Sequence, residues 1–122
     1  MPGHGTVNWF DIRTPDPDAS QAFGAALFGW SFRDFELGDG GASTIWLGDQ
    51  EIGLMTRAQG PAGSPATVLY VYVEDLTGTV DRARELGAKV TVEPVFVDEE
   101  TGAFADLVDP AGVTIGLWGR TL

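Results

Sequence analysis

Hydrophobic residues recur with two different periods near the start of this chain. The two periods predict a first strand followed by a first helix. Val7 to Arg13 alternates with a period of two, which is typical of a strand with one buried face. Residues 17–28 carry apolar side chains at helical spacing instead. Asp16 can cap that helix and Gly29 can end it.

The apolar stripe of the first helix predicts which side of it is buried. We expect the stripe to pack on Phe10 and Ile12, because these two side chains share one face of the preceding strand. The members of the stripe are Ala19, Ala22, Phe23, Ala26 and Leu27.

The rest of the chain predicts the same order of elements twice. Strands are expected at 30–37, 43–47 and 51–56, with a hairpin loop at 38–41 and a linker at 58–66, because these last two stretches are rich in Gly and Pro. A strand at 68–73, a helix at 76–86 capped by Asp75, and strands at 89–97, 103–108 and 113–118 follow. Pro94 predicts a sheet edge or a bulge. Strand, helix and three strands, found twice, indicate a duplicated unit.

Two matching tetrapeptides support this duplication. Ile52-Gly53-Leu54-Met55 ends the first half, and Ile115-Gly116-Leu117-Trp118 ends the second. A glycine inside a strand often marks a close approach by a ligand or by another backbone. We therefore expect Gly53 and Gly116 to make room in a cavity that the two halves share.

Composition and charge narrow the possible functions. The chain has 122 residues, the size of one domain, and it has no cysteine. It also lacks an apolar run of membrane-spanning length and a signal peptide, so we expect a cytoplasmic protein with no membrane partner. The net charge of −11 disfavours nucleic acid as a partner and favours cationic ligands, although solubility alone explains the same charge.

Motifs along most of the chain resemble those of one superfamily. They are the stretches 9–16 and 27–30 in the first half, and 73–75, 86–88 and 109–112 in the second. These stretches resemble the vicinal oxygen chelate superfamily, which includes glyoxalase I, extradiol dioxygenases and bleomycin resistance proteins. Gly24 departs from that pattern, because relatives often carry an aromatic residue there.

The resemblance implies a fold and an assembly. The fold is α+β, with two βαβββ modules at about 7–57 and 67–119 of a single domain, 1–122. The modules would form a cup-shaped mixed sheet with a helix outside each. The resemblance also implies a homodimer.

The resemblance also implies where a metal would be held. Metal-dependent members place a His on the first strand of each module and a Glu on the last. Here those positions fall on Trp9, Val68, Gly53 and Gly116, or on Leu54 if the fourth strand is shifted by one residue. None of these side chains can bind a divalent cation. We therefore expect no metal and no other cofactor.

Strand parity selects candidate ligand-binding residues on the concave side of the expected sheets. Aromatic walls with a few polar groups are typical of small-molecule sites, and Trp and Tyr rings stack on cations and on flat ring systems. The same side chains could instead simply fill the core. The candidates are Trp9, Asp11, Met55, Tyr70, Tyr72 and Trp118.

Three residues are candidates for catalysis: Asp11, Asp106 and Tyr70. A buried carboxylate can serve as a general base or can anchor an amine. The alternative for Asp11 is an ion pair with Arg13 or an exposed place on the rim. The single histidine, His4, is expected in a solvated tail, and 98–102 is expected to be a solvated acidic turn.

These observations leave several functions open. The first is metal-independent binding of a cationic or aromatic small molecule, such as an antibiotic that is sequestered as in bleomycin resistance proteins. The second is an isomerase, cyclase or lyase that uses an Asp and a Tyr as acid and base. A third is a metal-dependent lyase or dioxygenase with non-standard ligands.

Overall fold

The computed structural model describes residues 3–35, 42–58 and 65–122. Within these ranges the chain has an α+β fold, and the order βαβββ occurs twice as predicted. The predicted hairpin loop at 38–41 and most of the predicted linker lie outside the described residues. The elements are β1 (Val7–Thr14), α1 (Pro17–Phe28), β2 (Ser31–Phe35), β3 (Ala42–Leu47), β4 (Gln50–Arg57), β5 (Ala66–Tyr72), α2 (Leu76–Glu85), β6 (Lys89–Asp98), β7 (Gly102–Val108) and β8 (Thr114–Gly119).

The chain divides into two compact units. The N-terminal unit is Trp9–Val68, and the C-terminal unit is Leu69–Leu122 together with the described part of Met1–Asn8. In the described part of the chain, no helix is both long enough and apolar enough to cross a membrane.

Four strands of the N-terminal unit lie in the order β2-β3-β4-β1, with β1 parallel to β4 and the other pairs antiparallel. Side chains in one row of Cα partners share a face of the sheet, and the next row points to the other face. One row contains Arg33, Thr44, Leu54 and Asp11. The next row contains Asp34, Ser43, Met55 and Ile12.

Helix α1 covers the face of the second row. The Asp16 side chain caps the helix by accepting a hydrogen bond from the Ala19 amide at 3.1 Å. Gln21 Nε2 donates to Ser43 Oγ at 3.1 Å, which ties the middle of the helix to β3. The row of Arg33 and Asp11 therefore faces away from α1.

The predicted buried stripe of α1 is wrong. Phe23 is 65% exposed and Leu27 is 61% exposed, while Gly24 is the buried residue of the helix. A Cβ atom at Gly24 would lie 2.8 Å from Trp30 Cε3, so the missing side chain lets Trp30 pack against the helix backbone. With this contact in place, the side of the helix that carries Gln21 and Gly24 faces the sheet, and the predicted apolar stripe is exposed. It also explains why a glycine replaces the aromatic residue of relatives.

The strands of the C-terminal unit follow the order β5-β8-β7-β6, with β5 parallel to β8 and the other pairs antiparallel. β6 ends this order and shifts register against β7, as Pro94 predicted. Asp75 caps α2 by accepting from the Gly78 amide at 3.0 Å. Val80 of α2 is in the core, whereas Leu86, which follows the last residue of the helix, is exposed. The core cluster consists of Val73, Leu76, Val80, Ala103, Ala105, Leu107 and Leu117.

Candidate functional site

The sheet face away from α2 carries four of the predicted site residues. Tyr70 is the Cα partner of Gly116, and Tyr72 is the partner of Trp118, across β5 and β8. On the other side of β8, Gly116 is the Cα partner of Asp106 in β7. The alternate residues of β7 and β8 point to the core around α2. Tyr70, Tyr72, Trp118 and Asp106 therefore share one face, as strand parity predicted for the two tyrosines and Trp118.

A buried hydrogen bond joins two of the catalytic candidates. Tyr70 Oη donates to Asp106 Oδ1 at 2.9 Å, and each residue is 6% exposed. Both residues also make further interactions, so the pair belongs to a larger network. A phenol held against a carboxylate is an arrangement that can move a proton or orient a polar group of a ligand.

Gly116 makes room for Tyr70. A Cβ atom at position 116 would overlap the ring of Tyr70, so only glycine allows the ring to lie directly on β8. The expectation that Gly116 leaves open space for a ligand is therefore wrong. A glycine within a strand indicates a close approach, and at Gly116 the ring of Tyr70 makes that approach.

Trp118 is held in place by two neighbours. Its indole Nε1 donates to Asn8 Oδ1 at 3.1 Å. The ring of Tyr72 packs against it edge to face, with centroids 4.9 Å apart and an interplanar angle of 66°. Tyr72 is buried, whereas Trp118 is half-buried and keeps part of its ring accessible. The sequence pattern did not single out Asn8, because its partner lies 110 residues further along the chain.

Two more predicted residues lie on β1 in the N-terminal unit. Trp9 is half-buried, and Asp11 is only 7% exposed. Asp11 and Arg13 both have interaction partners. The burial of Asp11 excludes the exposed rim position that was one alternative for it.

Met55 does not share a face with Trp9 and Asp11. Its Cα partner on β1 is Ile12, and the partner of Asp11 is Leu54. The predicted orientation of Met55 is therefore wrong, because the register of β1 with β4 pairs Met55 with Ile12 on the side of α1, and alternation along one strand does not reveal the register between two strands. Met55 lines a groove of about 370 Å³ under α1, together with Ile12, Ala19, Ser20, Phe23, Gly24, Phe28 and Trp30.

Gly53 also faces the helix side of its sheet. A Cβ atom there would lie 2.7 Å from the carbonyl oxygen of Phe10 and 3.0 Å from Cζ of the Phe10 ring. Phe10 and Gly53 are Cα partners on β1 and β4. The expectation that Gly53 makes room beside Trp9 is therefore wrong, and Leu54 holds the place that faces away from α1.

The residues at the metal positions of the superfamily do not fit a divalent cation. Trp9, Leu54, Val68 and Gly116 offer no carboxylate or imidazole. Val68 is buried, and the ring of Tyr70 covers Gly116. Among the residues that the structure describes, no group of three or more His, Cys, Asp or Glu side chains is arranged to hold a metal ion.

The histidine and the acidic turn lie at the surface. His4 is exposed, and its Nδ1 accepts a hydrogen bond from the Glu74 amide at 3.3 Å. Asp98, Glu99 and Glu100 are exposed as predicted. The Thr101 amide donates to Asp98 Oδ1 at 2.6 Å, and this hydrogen bond lowers the pKa of Asp98.

Comparison with known proteins assigns the chain to a family. The sequence profile described as "Glyoxalase-like domain" matches residues 9–117. The chain therefore belongs to the glyoxalase-like domain family, which agrees with the resemblance of its motifs.

Two curated relatives have names from one biosynthetic context. Anthracycline biosynthesis protein DnrV of Streptomyces peucetius is 30% identical over 131 residues, and DauV of Streptomyces sp. strain C5 is 34% identical over 131 residues. Each alignment covers 95% of this chain and 47% of the relative, so the chain spans about half the length of these relatives.

A solved structure shows the same fold. A glyoxalase/bleomycin resistance protein/dioxygenase superfamily member from Vibrio splendidus 12B01 matches with a TM-score of 0.64 and 15% identity. The match covers 93% of this chain and 98% of that one. At this level of identity the likeness concerns the fold alone.

Proposed function

We propose that this chain binds a polycyclic aromatic small molecule against the ring of Trp118. The observation that carries the proposal is the fixed orientation of this half-buried indole, which Asn8 and Tyr72 hold. A ring that is already held in place loses little conformational freedom when a flat ligand stacks on it. The names of DnrV and DauV support this ligand class, because anthracyclines are polycyclic aromatic molecules. Trp9 and Asp11 remain proposed ligand contacts of the N-terminal unit.

A fluorescence titration tests this binding. A planar probe such as 1,4-dihydroxyanthraquinone should quench tryptophan emission in a saturable way. Trp118→Ala should weaken binding by about 1–3 kcal/mol, the range for loss of a stacked aromatic residue. Trp30→Phe in the N-terminal unit is the control, since it also removes one indole and Trp30 belongs to neither proposed site. If Trp118 only fills the core, its loss should lower stability by about 3–5 kcal/mol and leave the affinity unchanged.

The proposed binding takes place without the metal of metal-dependent relatives. The support is the side-chain chemistry at Trp9, Leu54, Val68 and Gly116. Elemental analysis after incubation with Zn²⁺, Mn²⁺ and Ni²⁺, followed by dialysis, should find well below one ion per chain. A stoichiometric ion that is lost on Asp11→Asn or Asp106→Asn would overturn this part of the proposal. Binding without chemical change would amount to sequestration, as in bleomycin resistance proteins.

Acid–base catalysis is a second candidate function, and the buried bond between Tyr70 and Asp106 favours it. In this alternative, Asp106 removes a proton from the substrate, and the single O–H of Tyr70 turns from Asp106 to the substrate oxygen that gains charge. Asp106 then returns the proton at a different atom, which gives an isomerisation, cyclisation or elimination. Asp106→Asn should abolish turnover and leave the affinity for the aromatic probe nearly intact. Loss of affinity without a measurable reaction would instead favour simple binding.

We also propose that two copies of the chain associate through the outer face of α1. Leu27 is a large apolar side chain exposed on this face, and Phe23 and Phe28, which line the groove, are also more than half exposed. Exposed apolar surface of this kind is typical of protein interfaces. The curated relatives are about twice as long as this chain, so a second copy could supply a surface that covers the helix.

A further inference from the structure

We propose that Arg33 anchors a subsite for a carboxylate-bearing small molecule, on the face of the N-terminal sheet that points away from α1. This subsite is formed within the N-terminal unit. The proposal for Arg33 therefore does not rest on the ligand proposed for Trp118.

The guanidinium of Arg33 is stacked on an aromatic ring. Its Cζ lies 3.7 Å from the centroid of the Trp46 ring. A stacked guanidinium uses its flat face for the ring and keeps its N–H donors in the plane, at the edge. Those donors match the two oxygens of a carboxylate. Stacking therefore orients the cation without using the donors that would bind an anion.

One buried hydroxyl positions both partners of this stack. Trp46 Nε1 donates to Thr44 Oγ1 at 2.8 Å, and Thr44 Oγ1 donates to the backbone carbonyl oxygen of Arg33 at 3.3 Å. Thr44 is buried and is the Cα partner of Arg33 across β2 and β3. A hydroxyl has one donor and can accept as well, so Thr44 uses its donor on Arg33 and an acceptor on Trp46. The indole plane and the start of the arginine side chain are thereby linked.

Three other arginines in the described part of the chain make contacts within the fold. Arg84 pairs with Glu93, Arg57 donates to the Pro15 carbonyl oxygen, and Arg120 donates to backbone carbonyl oxygens of the acidic turn. Within the described ranges, the guanidinium of Arg33 contacts an indole and no carboxylate. In a chain of net charge −11, this exposed cation is a local positive charge that would attract an anionic ligand.

The same row of the sheet indicates the size of the ligand. Leu54 follows Thr44 in the row and is half-buried, so it provides an apolar surface beside the stack. Two strand spacings, about 10 Å, separate the backbones at Arg33 and Leu54. A carboxylate on a flat bicyclic hydrocarbon spans such a distance, with the charge at Arg33 and the rings toward Leu54.

Calorimetry with two probes of equal shape tests the subsite: 2-naphthoate, which is charged, and 2-naphthamide, which is neutral. The wild-type chain should bind 2-naphthoate more tightly, and added salt should reduce the difference. Arg33→Gln should weaken 2-naphthoate binding by about 10- to 100-fold, the range for hydrogen bonds between charged groups, and should change 2-naphthamide binding little. Arg33→Lys should recover only part of the loss, because lysine lacks the planar fork.

Arg57→Gln is the matched control, because it removes the same charge from the same unit. It should bind 2-naphthoate as the wild type does, and circular dichroism should show that all variants are folded. Equal affinity of the wild type for the two probes, or no binding of 2-naphthoate, would overturn the proposal. An equal loss in Arg33→Gln and Arg57→Gln would do the same. Loss of 2-naphthoate binding in Trp118→Ala but not in Arg33→Gln would support the proposed function and overturn the subsite.

Discussion

The phenol of Tyr70 donates a 2.9 Å hydrogen bond to the buried carboxylate of Asp106, two strands away in the C-terminal sheet. Gly116 lies on the strand between them, and its missing side chain leaves the space that the Tyr70 ring occupies. The two residues lie 36 positions apart in sequence. The bond therefore depends on a glycine that takes no part in it and acts through its missing side chain.

Removal of the Tyr70 hydroxyl should destabilise the fold. Tyr70→Phe takes one partner from a buried carboxylate, so we expect the free energy of unfolding to fall by about 1–3 kcal/mol. Urea unfolding measures this change. Tyr72→Phe is the control, since it removes a hydroxyl from the same face and leaves the bond to Asp106 in place. Equal stability of Tyr70→Phe and Tyr72→Phe would mean that the bond to Asp106 contributes no more to stability than the hydroxyl of Tyr72 does.

A methyl group at Gly24 should also destabilise the fold, despite the better helix propensity of alanine. The new Cβ atom would lie 2.8 Å from the Trp30 ring, and such overpacking costs about 1–3 kcal/mol. The gain in helix propensity offsets about 1 kcal/mol of this. Thermal unfolding measures the net change. Ala26→Gly, at an exposed position of the same helix, reports the propensity effect alone, and a Gly24→Ala variant that is more stable than wild type would contradict the close packing of Trp30.

A charge on the outer face of α1 should prevent self-association. Leu27→Asp places a carboxylate among exposed apolar side chains, so a dimer formed through this face should dissociate. Sedimentation velocity over a range of concentrations should show a dimer for the wild type and a monomer for the variant. Thr77→Asp on the exposed side of α2 is the control and should remain dimeric. A wild-type mass that stays near 13.0 kDa at all concentrations would contradict the proposed association.

The hydrogen bond between Asp98 and the Thr101 amide in the acidic turn should make a pH-dependent contribution to stability. The hydrogen bond from the Thr101 amide lowers the pKa of Asp98 in the folded state, so the ionised form is favoured by folding. This contribution is present above the unfolded value of about 3.9 and is lost as the pH falls through the lower folded value. Asp98→Asn should therefore lower Tm at pH 7, and the difference from the wild type should shrink between about pH 4 and pH 2.

Glu99→Gln is the control for this measurement, because it removes one charge from the same exposed turn without touching the Thr101 amide. The difference in Tm between Glu99→Gln and the wild type should not shrink between about pH 4 and pH 2. A difference in Tm between Asp98→Asn and the wild type that stays constant from pH 7 to pH 2 would rule out the linkage to Asp98.

Much of the fold could be predicted from the sequence because the signals for it are local. Asp16 and Asp75 mark the starts of both helices through hydrogen bonds to backbone amides three residues away. Gly29 ends α1 with a left-handed backbone that glycine readily adopts. Strand alternation likewise placed Tyr70 and Tyr72 on one face of β5. Each of these features depends on neighbours within a few residues, so the sequence alone determined them.

Other features depended on contacts between distant segments. Met55 faces the helix because the register of β1 with β4 makes it the Cα partner of Ile12, and a register shifted by one residue would put it on the other face. The buried side of α1 was decided by Trp30, which packs where Gly24 has no side chain.

The hydrogen bonds of the site are decided in the same way. Asn8 meets Trp118 across 110 residues, and Arg33 meets Trp46 through the register of an antiparallel pair. The sequence by itself determined which elements form and in what order, because hydrophobic period and capping act locally. Only the tertiary structure decided which side chains face one another, because register and helix rotation follow from packing the whole unit.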